Sequence, residues 1–185
     1  TDQYGKEDEN NYTGFQCYKD SVNSDKKILW SEPYMDPVTK IMLITVTAPF
    51  FDENKKFMGA TAADMSLENL QKIVEKSKIS QNSWSFVVDK SGNFIAHTDA
   101  KKIMKDKIAS DKNNGLAKLS TQILSSKSGN ATFNDKNGKN LVYYTPIADS
   151  GLTLGMVIPE NDIYSGTFLE IGIGSVVFIV LLIIC

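Results

Sequence analysis

The residues with the strongest claim to chemistry stand close together near the start of the chain. Trp30-Ser31-Glu32-Pro33-Tyr34-Met35-Asp36 puts two aromatic rings and a carboxylate into one short segment, and a further carboxylate follows at Asp64. Aromatic walls with convergent carboxylates suit a small cationic ligand, which gains cation–π contact on one side and charge-assisted hydrogen bonds on the other. The same residues also fit a plainer arrangement, with the rings packing a loop beside Pro33 and Asp64 acting as an extra cap for a helix at Ser66. Catalysis has little to work with. A hydroxyl nucleophile needs a base, usually a histidine held by a carboxylate. The one histidine, His97, sits in Phe94-Ile95-Ala96-His97-Thr98-Asp99 and is expected to be a structural residue at a strand end, so no enzyme is expected. Residues 89–93 (DKSGN) and 135–139 (DKNGK) open like calcium loops but lack the later ligands and the closing glutamate. Both are read as hairpin turns.

Composition narrows the field further. The chain has 185 residues, 42% of them hydrophobic and 23% charged, so it has the makings of a folded core. All 20 basic residues are lysine, and the net charge is -2. A nucleic-acid partner is not expected, because such proteins show a basic face and use arginine on bases and phosphates. Two cysteines, Cys17 and Cys185, cannot make a zinc site or a disulfide scaffold, and no glycine-rich phosphate loop is present. No metal and no cofactor are expected.

The elements that must position these residues follow from periodicity. Residues 1–27 are polar and irregular, and residues 28–64 read as β structure, with Thr45 and Thr47 alternating against Ile44 and Val46. Leu67, Leu70 and Val74 then mark one face of a helix. A second unit opens with a hairpin around Lys90-Ser91-Gly92, continues through a helix over residues 116–126, and closes with strands at 129–135, 139–147 and 152–158. Asn137-Gly138 joins the first two of these strands and Asp149–Gly151 the next two. Strands with intervening helices in this order predict an α+β fold of small antiparallel sheets, each with helices on one face. Asp162 is placed to cap a helix that runs into the uncharged stretch 171–185. That stretch is short of the roughly 20 residues of a full span, so a membrane helix cut by the chain end is expected, and the start at Thr1 also reads as cut.

A family resemblance joins these observations. Residues 28–70, ILWSEPYMDPVTKIMLITVTAPFFDENKKFMGATAADMSLENL, resemble the double Cache sensor domain of bacterial receptors, methyl-accepting chemotaxis proteins above all. The likeness continues through SFVVDKSGNFIAH, GNATFNDKNGKNLVYYTPI and the final apolar segment. It implies two PAS-like modules, a membrane-distal one at 1–78 lacking its long N-terminal helix and a proximal one at 79–160, with 161–185 entering the membrane. It further implies that residues 1 to about 165 lie outside the cell, and that a small-molecule ligand binds the distal module at Tyr18, Trp30, Tyr34, Asp36 and Asp64. The implied partners are the membrane, a second copy of the chain and cytoplasmic signalling proteins. A histidine kinase or diguanylate cyclase could carry the same ectodomain, and an adhesion domain without a ligand is the reading from another class. One departure bears on the ligand. The implied ligand is amine-like or amino-acid-like, but amino-acid sensors of this type resemble R-x-W-Y where this chain has Phe15-Gln16-Cys17-Tyr18, so the arginine clamp on a ligand carboxylate is missing and an amine or another ligand without a carboxylate is favoured.

Overall fold

The computed structural model describes residues 12–14, 16–24, 28–112, 114–125, 127–147 and 149–164. The chain divides into two compact units, Thr1–Leu67 and Glu68–Cys185. Both are built on antiparallel sheets with few helices, as an α+β fold requires.

The first unit holds helix α1 (Gln16–Val22) and strands β1 (Leu29–Trp30), β2 (Tyr34–Met35), β3 (Met42–Phe51) and β4 (Phe57–Ser66). β3 is the spine. β4 pairs along the length of one edge, from Leu43↔Ser66 to Phe51↔Phe57. The other edge is shared: β2 pairs at Leu43 and Met42, and β1 pairs at Thr47 and Val46. Between those two short strands the chain leaves the sheet through Ser31–Pro33, opposite Ile44 and Thr45. The ladder is nevertheless completed there. The Ser31 N–H donates to the Thr45 carbonyl (2.9 Å), and the Thr45 N–H donates to the Ser31 hydroxyl (2.8 Å). A side-chain oxygen thus replaces the missing strand neighbour of a residue only 3% exposed.

The second unit places helix α2 (Leu67–Lys76) before strands β5 (Trp84–Val88) and β6 (Phe94–His97), short helices α3 (Asn114–Lys118) and α4 (Ser120–Ile123), and strands β7 (Gly129–Asp135), β8 (Gly138–Ile147) and β9 (Leu152–Pro159). Its sheet runs in the order β6-β5-β9-β8-β7. The core gathers Phe86, Val88, Phe94, Ile108, Leu116, Ile123, Phe133, Val142, Tyr144 and Val157. Gly155 belongs to this packing for want of a side chain: a Cβ there would lie 2.1 Å from Cζ of the fully buried Phe86. The helix expected over 116–126 is broken in two. The Leu119 N–H bonds back three residues to Leu116, a tightened turn before Ser120 and Thr121, which are weak helix formers. Residues 89–93 are a hairpin turn, as expected: the Asp89 carboxylate takes the backbone and side-chain N–H groups of Asn93, and Gly92 adopts φ +78°.

Edge strand β6 is closed by a side chain as well. Gln71 of α2 donates from Nε2 to the His97 carbonyl (2.6 Å) and accepts the His97 N–H on Oε1 (2.9 Å), as a neighbouring strand would. Asp162 does not cap a helix. Its carboxylate accepts from the Ser80 hydroxyl and from both N–H groups of Asn82, which hold it below the usual carboxylate range, and it lies inside the helical stretch 160–164. Among the described residues no helix is long and apolar enough to cross a membrane. The apolar stretch 171–185 that carries the membrane expectation lies outside them.

His97 is buried, 5% exposed, against the rings of Trp84 and Phe94, each with its centroid 5.0 Å away. Nδ1 accepts the Asp99 N–H (2.8 Å), so the proton sits on Nε2, which has no hydrogen-bond partner among the described residues. A second proton would have to enter at Nδ1 and break the Asp99 bond. Burial, reinforced by the Lys102 ammonium and opposed by Asp111, Asp99 and Asp106, lowers the imidazole from 6.5 to about 4.

Two predictions follow from these edges. Ser31→Ala leaves the buried Thr45 N–H without an acceptor and should cost about 1–3 kcal/mol, read as a lower denaturant midpoint at unchanged slope. A folded His97 that resists protonation contributes stability that is complete above pH 6.5 and is lost as pH falls towards 4, because the unfolded chain takes up the proton first. Wild type should therefore lose about 3 kcal/mol more than His97→Gln between those limits in urea titrations. Equal losses in the two proteins would contradict it.

Candidate functional site

A cavity of about 550 Å³ opens in the first unit, within the range of small-molecule sites. Its floor is β3. Alternation along a strand puts Thr45 and Thr47 on one face and Ile44 and Val46 on the other, and both threonines line the cavity. One wall is the loop between β1 and β2, which brings Trp30, Ser31, Glu32, Pro33 and Tyr34. The opposite wall is α1, whose Gln16, Cys17 and Asp20 share a face at helical spacing. The cavity is therefore lined by two aromatic rings, two threonines and two carboxylates, and none of its described lining residues is a lysine.

The threonine at the centre organises the floor. Thr45 Oγ1 lies 2.7 Å from the Tyr34 phenol oxygen and donates to Asp64 Oδ1 at 2.6 Å. Thr45 and Asp64 are directly paired across β3 and β4, which makes the second contact a matter of sheet register. Asp20 is also fixed, since its Oδ1 accepts the Gln16 amide (2.7 Å) one helical turn earlier.

The residues singled out from the sequence separate into two groups. Trp30 and Tyr34 line the cavity, and Asp64 joins it through Thr45. Asp36 is not among the lining residues. Its Oδ2 accepts from both the hydroxyl and the N–H of Thr39, closing the turn before Lys40, and the Thr39 hydroxyl above all holds its carboxyl below the usual range. Tyr18 is turned elsewhere too, with its ring edge-on to Phe57 at 5.6 Å. Phe15, which stands where the arginine of amino-acid sensors would be, lies outside the described residues. Asp20, Glu32, Thr45 and Thr47 were not anticipated as site residues. The threonine alternation and the position of Glu32 inside the Trp30–Tyr34 segment carried a legible signal; the placement of Asp20 on the cavity face of α1 did not.

Comparison with known proteins agrees with this architecture. The Cache domain family matches residues 2–167. The methyl-accepting chemotaxis protein McpC of Bacillus subtilis is 34% identical over 140 residues, 75% of this chain and 19% of McpC. Among solved structures, the sensory domain of the Campylobacter jejuni chemoreceptor Tlp3 superposes with a TM-score of 0.60 at 18% identity, covering 84% of this chain and 57% of that one. The ligand-binding domain of Mlp24 with asparagine gives 0.52 at 21% identity, covering 86% and 62%. The chain thus spans about a fifth of McpC and somewhat over half of each structure, and the structural likeness is one of fold. With the family match running over residues 2–167, through both units, the chain belongs to the Cache domain family.

Proposed function

We propose that this chain is the ligand-sensing ectodomain of a transmembrane chemotaxis receptor and that it binds a small organic amine in the cavity of the first unit. The observation that carries the amine reading is the lining itself. Asp20 and Glu32 face a space walled by Trp30 and Tyr34, Asp64 stands one hydrogen bond behind Thr45, and no lysine is among the described lining residues. An ammonium gains cation–π attraction from the rings and charge-assisted bonds from the carboxylates, whereas a carboxylate meets no cation among the described lining residues. The chain has no arginine anywhere to supply one.

The receptor reading is supported by membership of the Cache domain family and by similarity to McpC, a methyl-accepting chemotaxis protein. In this reading residues 1–78 and 79–160 are the distal and proximal PAS-like modules, and residues 1 to about 165 lie outside the cell. The segment from 161 enters the membrane beside that of a second copy. Ligand binding shifts the balance between two arrangements of the membrane helices, and cytoplasmic partners read the result.

Calorimetric titration of a panel of small amines and of carboxylates without an amine tests the ligand class. Amines should bind and the carboxylates should not; the reverse order would sink the proposal. Glu32→Gln keeps the shape and removes a charge that lines the cavity, and should weaken amine binding about thirtyfold, or about 2 kcal/mol. Trp30→Ala should weaken it at least as much through lost area and lost cation–π attraction. Asp36→Asn, outside the cavity, should leave the affinity unchanged.

A further inference from the structure

We infer that Thr45 sets the cavity's preference for amines over carboxylates, acting as a positioning residue through the proton order it imposes on Tyr34 and Asp64. The inference rests on the amine reading above and adds the residue that enforces it.

The argument is one of proton accounting. A threonine hydroxyl has one proton and two lone pairs, a carboxylate has only lone pairs, and a phenol has one proton. The 2.6 Å contact between Thr45 Oγ1 and Asp64 Oδ1 therefore consumes the threonine proton. The 2.7 Å contact between Thr45 Oγ1 and the Tyr34 oxygen can then be filled in one way only, with Tyr34 donating. The three groups form a directed row, phenol to hydroxyl to carboxylate, and both hydroxyl protons are spent inside the wall. What Tyr34, the member of the row besides Thr45 that lines the cavity, still offers to an occupant is lone pairs, with the Asp64 charge behind it. This row accepts hydrogen bonds from an ammonium through Tyr34 and has no hydroxyl proton of its own to give to a carboxylate.

The row is separable from the fold. Thr45 is held in the sheet by its backbone, through Ser31 and the β4 ladder, and its hydroxyl takes no part in those bonds. Tyr34 and Asp64 are both exposed enough to be hydrated when the hydroxyl is removed. Valine replaces threonine with a similar shape and a good strand propensity. In Thr45→Val the Tyr34 proton is released, and the phenol becomes a donor that a ligand carboxylate can use.

The test uses 1,5-diaminopentane and L-lysine, which differ only by the α-carboxylate, titrated against the 185-residue chain. Wild type should prefer the diamine. Thr45→Val should reduce the ratio of the two affinities about tenfold, and Thr45→Ser, which restores the hydroxyl, should recover it. Thr45→Ala also lacks the hydroxyl and takes the place of Thr45→Val should that variant not fold. An equal loss for both compounds at an unchanged ratio would mean that Thr45 is merely structural, and the inference would be overturned. A readout without ligand separates this from the amine reading. In protein labelled with 3-fluorotyrosine, the Tyr34 fluorine resonance, assigned by its loss in Tyr34→Phe, should shift in Thr45→Val and stay in place in Thr45→Ser. Wild type that binds neither compound overturns the amine reading, and the proton row is then decided by this resonance; no shift in Thr45→Val overturns it. Preference of wild type for L-lysine overturns both.

Discussion

A buried backbone N–H must be paired, and where a strand loses its neighbour a side chain has to take the neighbour's place. This constraint is met at two edges in the chain, and the functional architecture hangs on it. In the first unit the loop between β1 and β2 swings out from the edge of β3 to make a cavity wall, and the Ser31 hydroxyl fills the gap at Thr45. In the second unit β6 ends the sheet, and the Gln71 amide closes its edge at His97 with one donor and one acceptor. Each solution uses the smallest group that matches the need. A serine suffices where only an N–H is left over, since Ser31 pairs the Thr45 carbonyl through its own backbone. A glutamine is required where both an N–H and a carbonyl are open. Without these substitutions the cavity wall would have to fold back onto the sheet, and α2 would lose the polar bonds that tie it to β6.

The regular elements were legible because they repeat. Leu67, Leu70 and Val74 at helical spacing announced α2, and the Asn137-Gly138 turn announced the β7–β8 hairpin, which closes with Asp135 opposite Gly138. Thr45 and Thr47 alternating against Ile44 and Val46 announced β3 and its two faces. Strands of two residues carry no period, so β1 and β2 could be seen only as an aromatic, proline-bearing segment. The Gln71–His97 pairing joins residues 26 apart, and nothing local in either segment points to the other.

The site was legible in its residue types and less so in its members. Asp36 and Asp64 are chemically alike, yet one is spent on a turn and the other joins the cavity floor through Thr45. The sequence held a sign of the difference. Asp36 precedes Pro37 and stands three residues before Thr39, the spacing at which an aspartate closes its own turn with N–H and hydroxyl donors. A carboxylate with such local donors is already occupied. Asp64 has no comparable local partner, and its orientation comes from the strand opposite through Thr45. A carboxylate is thus better judged by the donors its own neighbours supply than by its distance in sequence from an aromatic ring.

That distinction bears on why an acidic cavity suits a sensor. Asp20 and Glu32 line the same space with no lysine among its described lining residues, so two like charges repel across it, screened by water and dissolved ions. A cation that enters removes this repulsion as it forms its own contacts, and it stabilises the occupied arrangement by mass action. The gain is specific to arrangements in which the loop wall and α1 both face the ligand. Where two arrangements differ in how closely these walls approach, the cation binds one better than the other, and a ligand can shift an equilibrium only by such a difference in affinity. Under the amine reading proposed above, two carboxylates on separate elements do more than attract a ligand: they make the free energy of binding depend on where α1 stands relative to the Trp30–Tyr34 loop.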